Sequence, residues 1–107
     1  MSEIAFKTAP YVRERVIEHR MTETICGWKV RFWLESDPEF GGLDRQKALV
    51  VVKDARRTAL AIAAKEPKLF SDPEHLALWL LENVSCANSV EVCDNAGDGT
   101  AAHANWP

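Results

Sequence analysis

The chain has 107 residues, 47% hydrophobic and 27% charged, with a formal net charge of −3. That size and composition suit one globular domain spanning residues 1–107 and exclude a collagenous, low-complexity or strongly basic protein. No apolar run is long enough to span a bilayer, and no basic stretch leads into an apolar one. The expectation is a cytoplasmic protein with no membrane contact.

The charge is unevenly laid out. All 13 Lys and Arg lie in residues 1–68 with ten acids, a net of +3, while residues 69–107 hold six acids and no Lys or Arg, a net of −6. Such asymmetry can mark an interaction tail. The simpler expectation is that the two halves attract each other, within the fold or across a dimer. Three cysteines form an odd set at no familiar spacing, which suits free thiols better than a disulfide framework.

In chain order, residues 1–10 show no pattern and read as an arm tacked down by Ile4 and Phe6. Glu14–Glu35 predicts a β-hairpin with Cys26-Gly27 as its two-residue turn, the glycine supplying positive φ. That turn places Ile25 opposite Trp28, Met21 opposite Phe32 and His19 opposite Leu34, on one face with Ile17 and Val30. The other face then collects Thr24–Lys29, Thr22–Arg31 and Arg20–Trp33. One register sorts apolar from polar on both strands, and a one-residue slip would scramble it. Glu23, opposite Val30 on the apolar face, is the exception.

Ser36–Leu43 carries Asp-Pro and Gly-Gly and reads as a loop. Asp44–Lys65 then predicts one long helix. Ala48, Val51, Val52, Ala55, Ala59, Ile62 and Ala63 recur at helical spacing, with Lys47, Asp54, Thr58 and Lys65 opposite. Asp44 suits the N-cap, Leu43 can staple onto Ala48, and Pro67 stops the helix. The β-branched run Leu49–Val52 leaves a rival reading, a buried strand followed by a shorter helix.

A second helix is expected over Asp72–Val84, started by a Ser71/Glu74 capping box with Pro73 in the first turn. Leu76, Ala77, Leu80, Leu81 and Val84 form its apolar face, widened by Leu78 and Trp79. So broad a face calls for cover on more than one side, from the sheet and from the first helix or a partner subunit. Ser89–Trp106 reads as a second hairpin around Asp94–Gly99, with Trp106 closing the core or else docking on a second chain.

The expected fold is therefore α+β in the order ββααββ, an antiparallel sheet with two helices packed on one face. The opposite face carries Arg20, Lys29, Arg31 and Trp33.

No motif rises above background. DNAGDG matches a calcium loop at Asp94, Asp98 and Gly99, yet Ala96 and Asn105 stand where ligands are needed. Cys26, Cys86, Cys93 and His103 lack the tight pairing of zinc sites, so neither a metal nor a cofactor is expected. Cys26 at a turn tip should be exposed, and Cys93 and His103 could face each other, but nothing orients an activating base. Arg20, Lys29 and Arg31 beside Trp33 resemble a single-strand stacking surface. The acidic balance and an Arg20–Trp33 cation–π pair speak against nucleic acid. Lys53, Arg56 and Arg57 form a basic cluster expected to pair with Asp54 or the acidic half.

In size and lack of motifs the chain looks like the small proteins of phages and mobile gene cassettes, a likeness of type that implies no activity. Three function classes follow. The first is a non-enzymatic interaction module, a homodimer using surplus apolar surface of the helices or the open sheet face. The second is a small-molecule binder or minor enzyme with a pocket between sheet and helices near Trp28, Phe32 and Trp79. The third is nucleic-acid binding through Arg20, Lys29, Arg31 and Trp33.

Overall fold

The computed structural model describes residues 16–36, 44–94 and 99–106. Its elements run β1 (Val16–Ile25), β2 (Trp28–Ser36), α1 (Arg45–Lys65), α2 (Pro73–Asn83), β3 (Ala87–Cys93) and β4 (Thr100–Asn105). The strands form one antiparallel sheet in the order β1-β2-β3-β4. This is the expected α+β arrangement, ββααββ. Among the described residues no helix is long and apolar enough to cross a membrane. The arm at 1–10, the Leu43 staple and the loop at 37–43 lie outside the described residues.

The first hairpin follows the register that its side chains dictate, from Ile25↔Trp28 through Thr24↔Lys29, Met21↔Phe32 and Arg20↔Trp33 to His19↔Leu34. Its turn has positive φ at both positions, 52° at Cys26 and 85° at Gly27. That pair of values is the mirror-image turn whose twist matches the strands. Cys26 is not a free tip, however. It is half-buried, its thiol donates to the Ala59 carbonyl of α1 at 3.8 Å, and it packs on the core.

Beyond His19 the pattern breaks. Ile17 stands opposite Glu35, so β1 carries an extra residue between Ile17 and His19. The bulge takes Ile17 out of the apolar face where simple alternation put it, leaving it 37% exposed.

Met21, Ile25, Val30, Phe32, Leu34, Val90, Val92, Ala102 and Ala104 form the buried sheet face. The helices cover it side by side, α1 against β1 and α2 against β3 and β4. Leu49–Val52 lies inside α1, which excludes the strand alternative. Asp44 caps the helix by accepting from the Lys47 amide at 2.8 Å. The stripe then buries Ala48, Val52, Ala55 and Ala59 while Val51, Ile62 and Ala63 flank it. Small residues at the contact let the helix approach the sheet closely, so β-branched content alone does not decide the conformation.

Helix α2 begins on a different cap from the expected one. The Asp72 carboxylate accepts from the Glu74 amide at 3.0 Å, whereas the Ser71 hydroxyl donates to the Lys68 carbonyl. A carboxylate is at least as good an N-cap as a hydroxyl and adds a favourable charge at the helix start, so Asp72 takes the position. The connector before it is fastened by aromatics. The Trp28 indole donates to the Phe70 carbonyl at 3.0 Å, and the Phe70 ring packs tilted on Trp79 with centroids 5.5 Å apart.

Glu23 also finds its reason here. It lies under α1, where Lys53 and Arg56 approach its carboxylate at 3.7 and 3.8 Å. Arg56 further donates to the Thr24 carbonyl at 2.9 Å. In a two-residue hairpin Thr24 presents its backbone away from β2, so Arg56 covers part of an otherwise open sheet edge.

Candidate functional site

Three surfaces bring chemistry-bearing side chains together. On the sheet face away from the helices, the registers align Thr22, Arg31, Glu91 and His103 in one row. Neighbouring rows hold Arg20, Trp33, Ser89 and Asn105, and Thr24, Lys29, Cys93 and Thr100. The four residues expected to contact nucleic acid are thus adjacent, Arg20 exposed and Lys29, Arg31 and Trp33 half-buried.

Their electrostatics are not those of a phosphate track. Glu91 sits among them, accepting from Arg31 at 3.1 Å and from the Thr100 hydroxyl. Those contacts, the Thr100 hydroxyl foremost and the Arg31 guanidinium next, hold the Glu91 carboxyl below its usual range. A charged carboxylate in the middle of the patch neutralises Arg31 and repels a polyanion. Arg20 stands opposite Trp33, but among the described residues no cation–π contact joins them. The Arg31–Glu91 pair does join the basic and acidic halves of the chain across the sheet.

The thiols are scattered. The β3–β4 register sets Val92 against Ala102 and so places His103 opposite Glu91, while a shift after Val92 puts Cys93 opposite Thr100. Cys93 and His103 therefore do not face each other, and the His103 ring meets the Ser89 hydroxyl at 3.4 Å instead. Burial pushes the Cys26 and Cys86 thiols up, the reverse of the environment that activates a nucleophile. Among the described residues no group of three or more His, Cys, Asp or Glu is placed to hold a metal. Asp94 and Gly99 close the tail hairpin by a backbone bond of 2.9 Å, and Asp98 lies outside the described residues.

The second surface is a cleft of about 260 Å³ between the helices, lined by Val51, Asp54, Ala55 and Thr58 of α1 and Trp79 and Asn83 of α2. Trp79 is the one member of the expected pocket found there. Phe32 is fully buried in the core, and Trp28 is packed beside it with its indole N–H bonded to Phe70. The cleft's polar groups are engaged with their own helices. Thr58 donates to the Asp54 carbonyl at 3.0 Å, Asn83 to the Trp79 carbonyl at 2.8 Å, and Asp54 accepts from Arg57 at 3.1 Å.

The third surface is the outside of the helix layer. Leu49, Val50 and Leu60 on α1 and Leu78 on α2 are 37%, 56%, 43% and 54% exposed. They stand among the basic side chains of α1 and the acids of α2. Hydrophobic periodicity misses them, because it finds the face that packs on the sheet and treats the remaining apolar residues as excess width. Trp106 is likewise 42% exposed, its backbone amide held by the Asn88 carbonyl, so it rims the sheet and does not close the core.

No protein-family model matches the chain, and no curated protein or solved structure shows significant similarity to it.

Proposed function

We propose that the protein is a non-enzymatic interaction module that self-associates through the outer face of its helix layer. The observation that carries this reading is the exposure of four large aliphatic side chains on the helix layer, Leu49, Val50 and Leu60 on α1 and Leu78 on α2. Exposed aliphatic side chains are favoured at contacts with other proteins, because burying them releases water at about 25 cal/mol per Å². The other two surfaces support a function less well. The sheet face has its central arginine engaged by Glu91, and the cleft has its polar atoms already bonded. Light scattering on the purified chain at high micromolar concentration tests the proposal. The expected mass is twice the 12.0 kDa of one chain; a monomer at that concentration would overturn it.

A further inference from the structure

Given the self-association proposed above, we infer that the second copy docks crosswise, with α1 of each chain on α2 of the other. The two helices carry opposite charge. Helix α1, Arg45–Lys65, has six Lys and Arg against Asp54 alone, a net of +5. Helix α2, Pro73–Asn83, has Glu74 and Glu82 and no Lys or Arg, a net of −2.

The charges lie where a partner would meet them. On α1 the residues opposite the buried stripe of Ala48, Val52, Ala55 and Ala59 are Gln46, Val50, Arg57 and Ala61, all exposed. On α2 the exposed side carries Glu74, Leu78 and Glu82, each four residues from the next. Each helix therefore offers an aliphatic side chain and a charge on its exposed side, Val50 two turns before Arg57 on one and Leu78 one turn before Glu82 on the other.

A two-fold arrangement that placed α1 on α1 would bring two +5 helices together, and α2 on α2 would oppose two acidic ones. The crossed arrangement satisfies both charge and symmetry, since the contact from α1 to the partner's α2 is repeated by the reciprocal one. Val50 then packs on Leu78 of the second copy, and Arg57 exchanges part of its intrahelical pairing with Asp54 for Glu82.

Reversing charge on one helix at a time distinguishes this geometry from any other dimer. In Arg57→Glu a carboxylate meets Glu82 of the second copy, and in Glu82→Lys an ammonium group meets its Arg57. Each variant alone is expected to dissociate at least about tenfold more readily than the unchanged chain. Mixed in equal amounts they restore one original and one reversed contact, so the mixture should return to the mass of a dimer in light scattering. Circular dichroism of each variant checks that its fold is intact. A dimer indifferent to both reversals, or a mixture that stays monomeric, would overturn the crossed arrangement while leaving self-association standing. An unchanged chain that is monomeric would remove both.

Discussion

Glu23 shows how one side chain can look misplaced on its own strand and be required by the fold. Alternation puts it on the helix side of β1, where every other described neighbour in the hairpin register except His19 is apolar. Its side chain is 19% exposed, and α1 brings Lys53 and Arg56 to it from above. The pair is half-wet, so its worth is that of a surface ion pair and not of a buried one. Glu23→Ala should lower stability by about 0.5–1 kcal/mol in urea unfolding, and the difference should shrink in high salt. An unchanged midpoint in low salt would show that the two cations contribute nothing through this carboxylate. The reason for Glu23 was not readable from the hairpin alone, because it depends on a helix 30 residues further along the chain. The turn was equally ambiguous at this scale. Cys26 is an unusual residue at φ 52°, and its presence makes sense once Ala59 and the core are seen beneath it.

At the scale of elements, local rules predicted well where one pattern was strong and failed where two candidates competed. The first hairpin was legible to the residue because its turn and its polarity sorting agree. Its bulge was not, since the extra residue between Ile17 and His19 leaves no turn signal of its own. The same is true of the shift after Val92, which sets Cys93 opposite Thr100. Helix α2 offers the clearest contest, with Ser71 and Asp72 both suited to start it. The carboxylate won, and the two residues can be separated by experiment. Asp72→Ala should cost about 1 kcal/mol by removing the acceptor of the Glu74 amide. Ser71→Ala should cost less than half of that, since its hydroxyl only bonds the Lys68 carbonyl in the connector. Equal losses in thermal melts would restore Ser71 to the cap. The candidate surfaces were only partly legible for a related reason. Trp28, Phe32 and Trp79 have the chemistry of pocket walls, but the fold spends two of them on the core and the connector. The exposed aliphatics of the helices were visible as surplus width, and which of them stay exposed needed the sheet to define the buried face.

Across the whole molecule, the basic and acidic halves meet at Arg31–Glu91, and this gives the fold an acid limit that can be assigned. The Glu91 carboxyl titrates below its usual value because the Thr100 hydroxyl and the Arg31 guanidinium favour its charged form. A depressed carboxylate binds its proton more weakly in the folded chain than in the unfolded one. Its stabilisation is therefore complete above the ordinary carboxylate range and is lost as pH falls through the lower, folded value. Glu91→Gln should remove that dependence, giving a shallower fall in stability on the acid side and little pH sensitivity from this site near neutrality. A dimer held by the crossed helices has charge contacts of its own, whose effect on melting has to be told apart from that of Glu91. The two effects separate by concentration, because dimerisation raises the melting temperature with protein concentration while an intrachain pair does not. In the Arg57→Glu background the concentration dependence should vanish and the effect of Glu91→Gln should persist unchanged. If Glu91→Gln altered the acid limb only in chains that dimerise, the carboxylate would belong to the subunit contact, and the sheet face would have to be placed inside it.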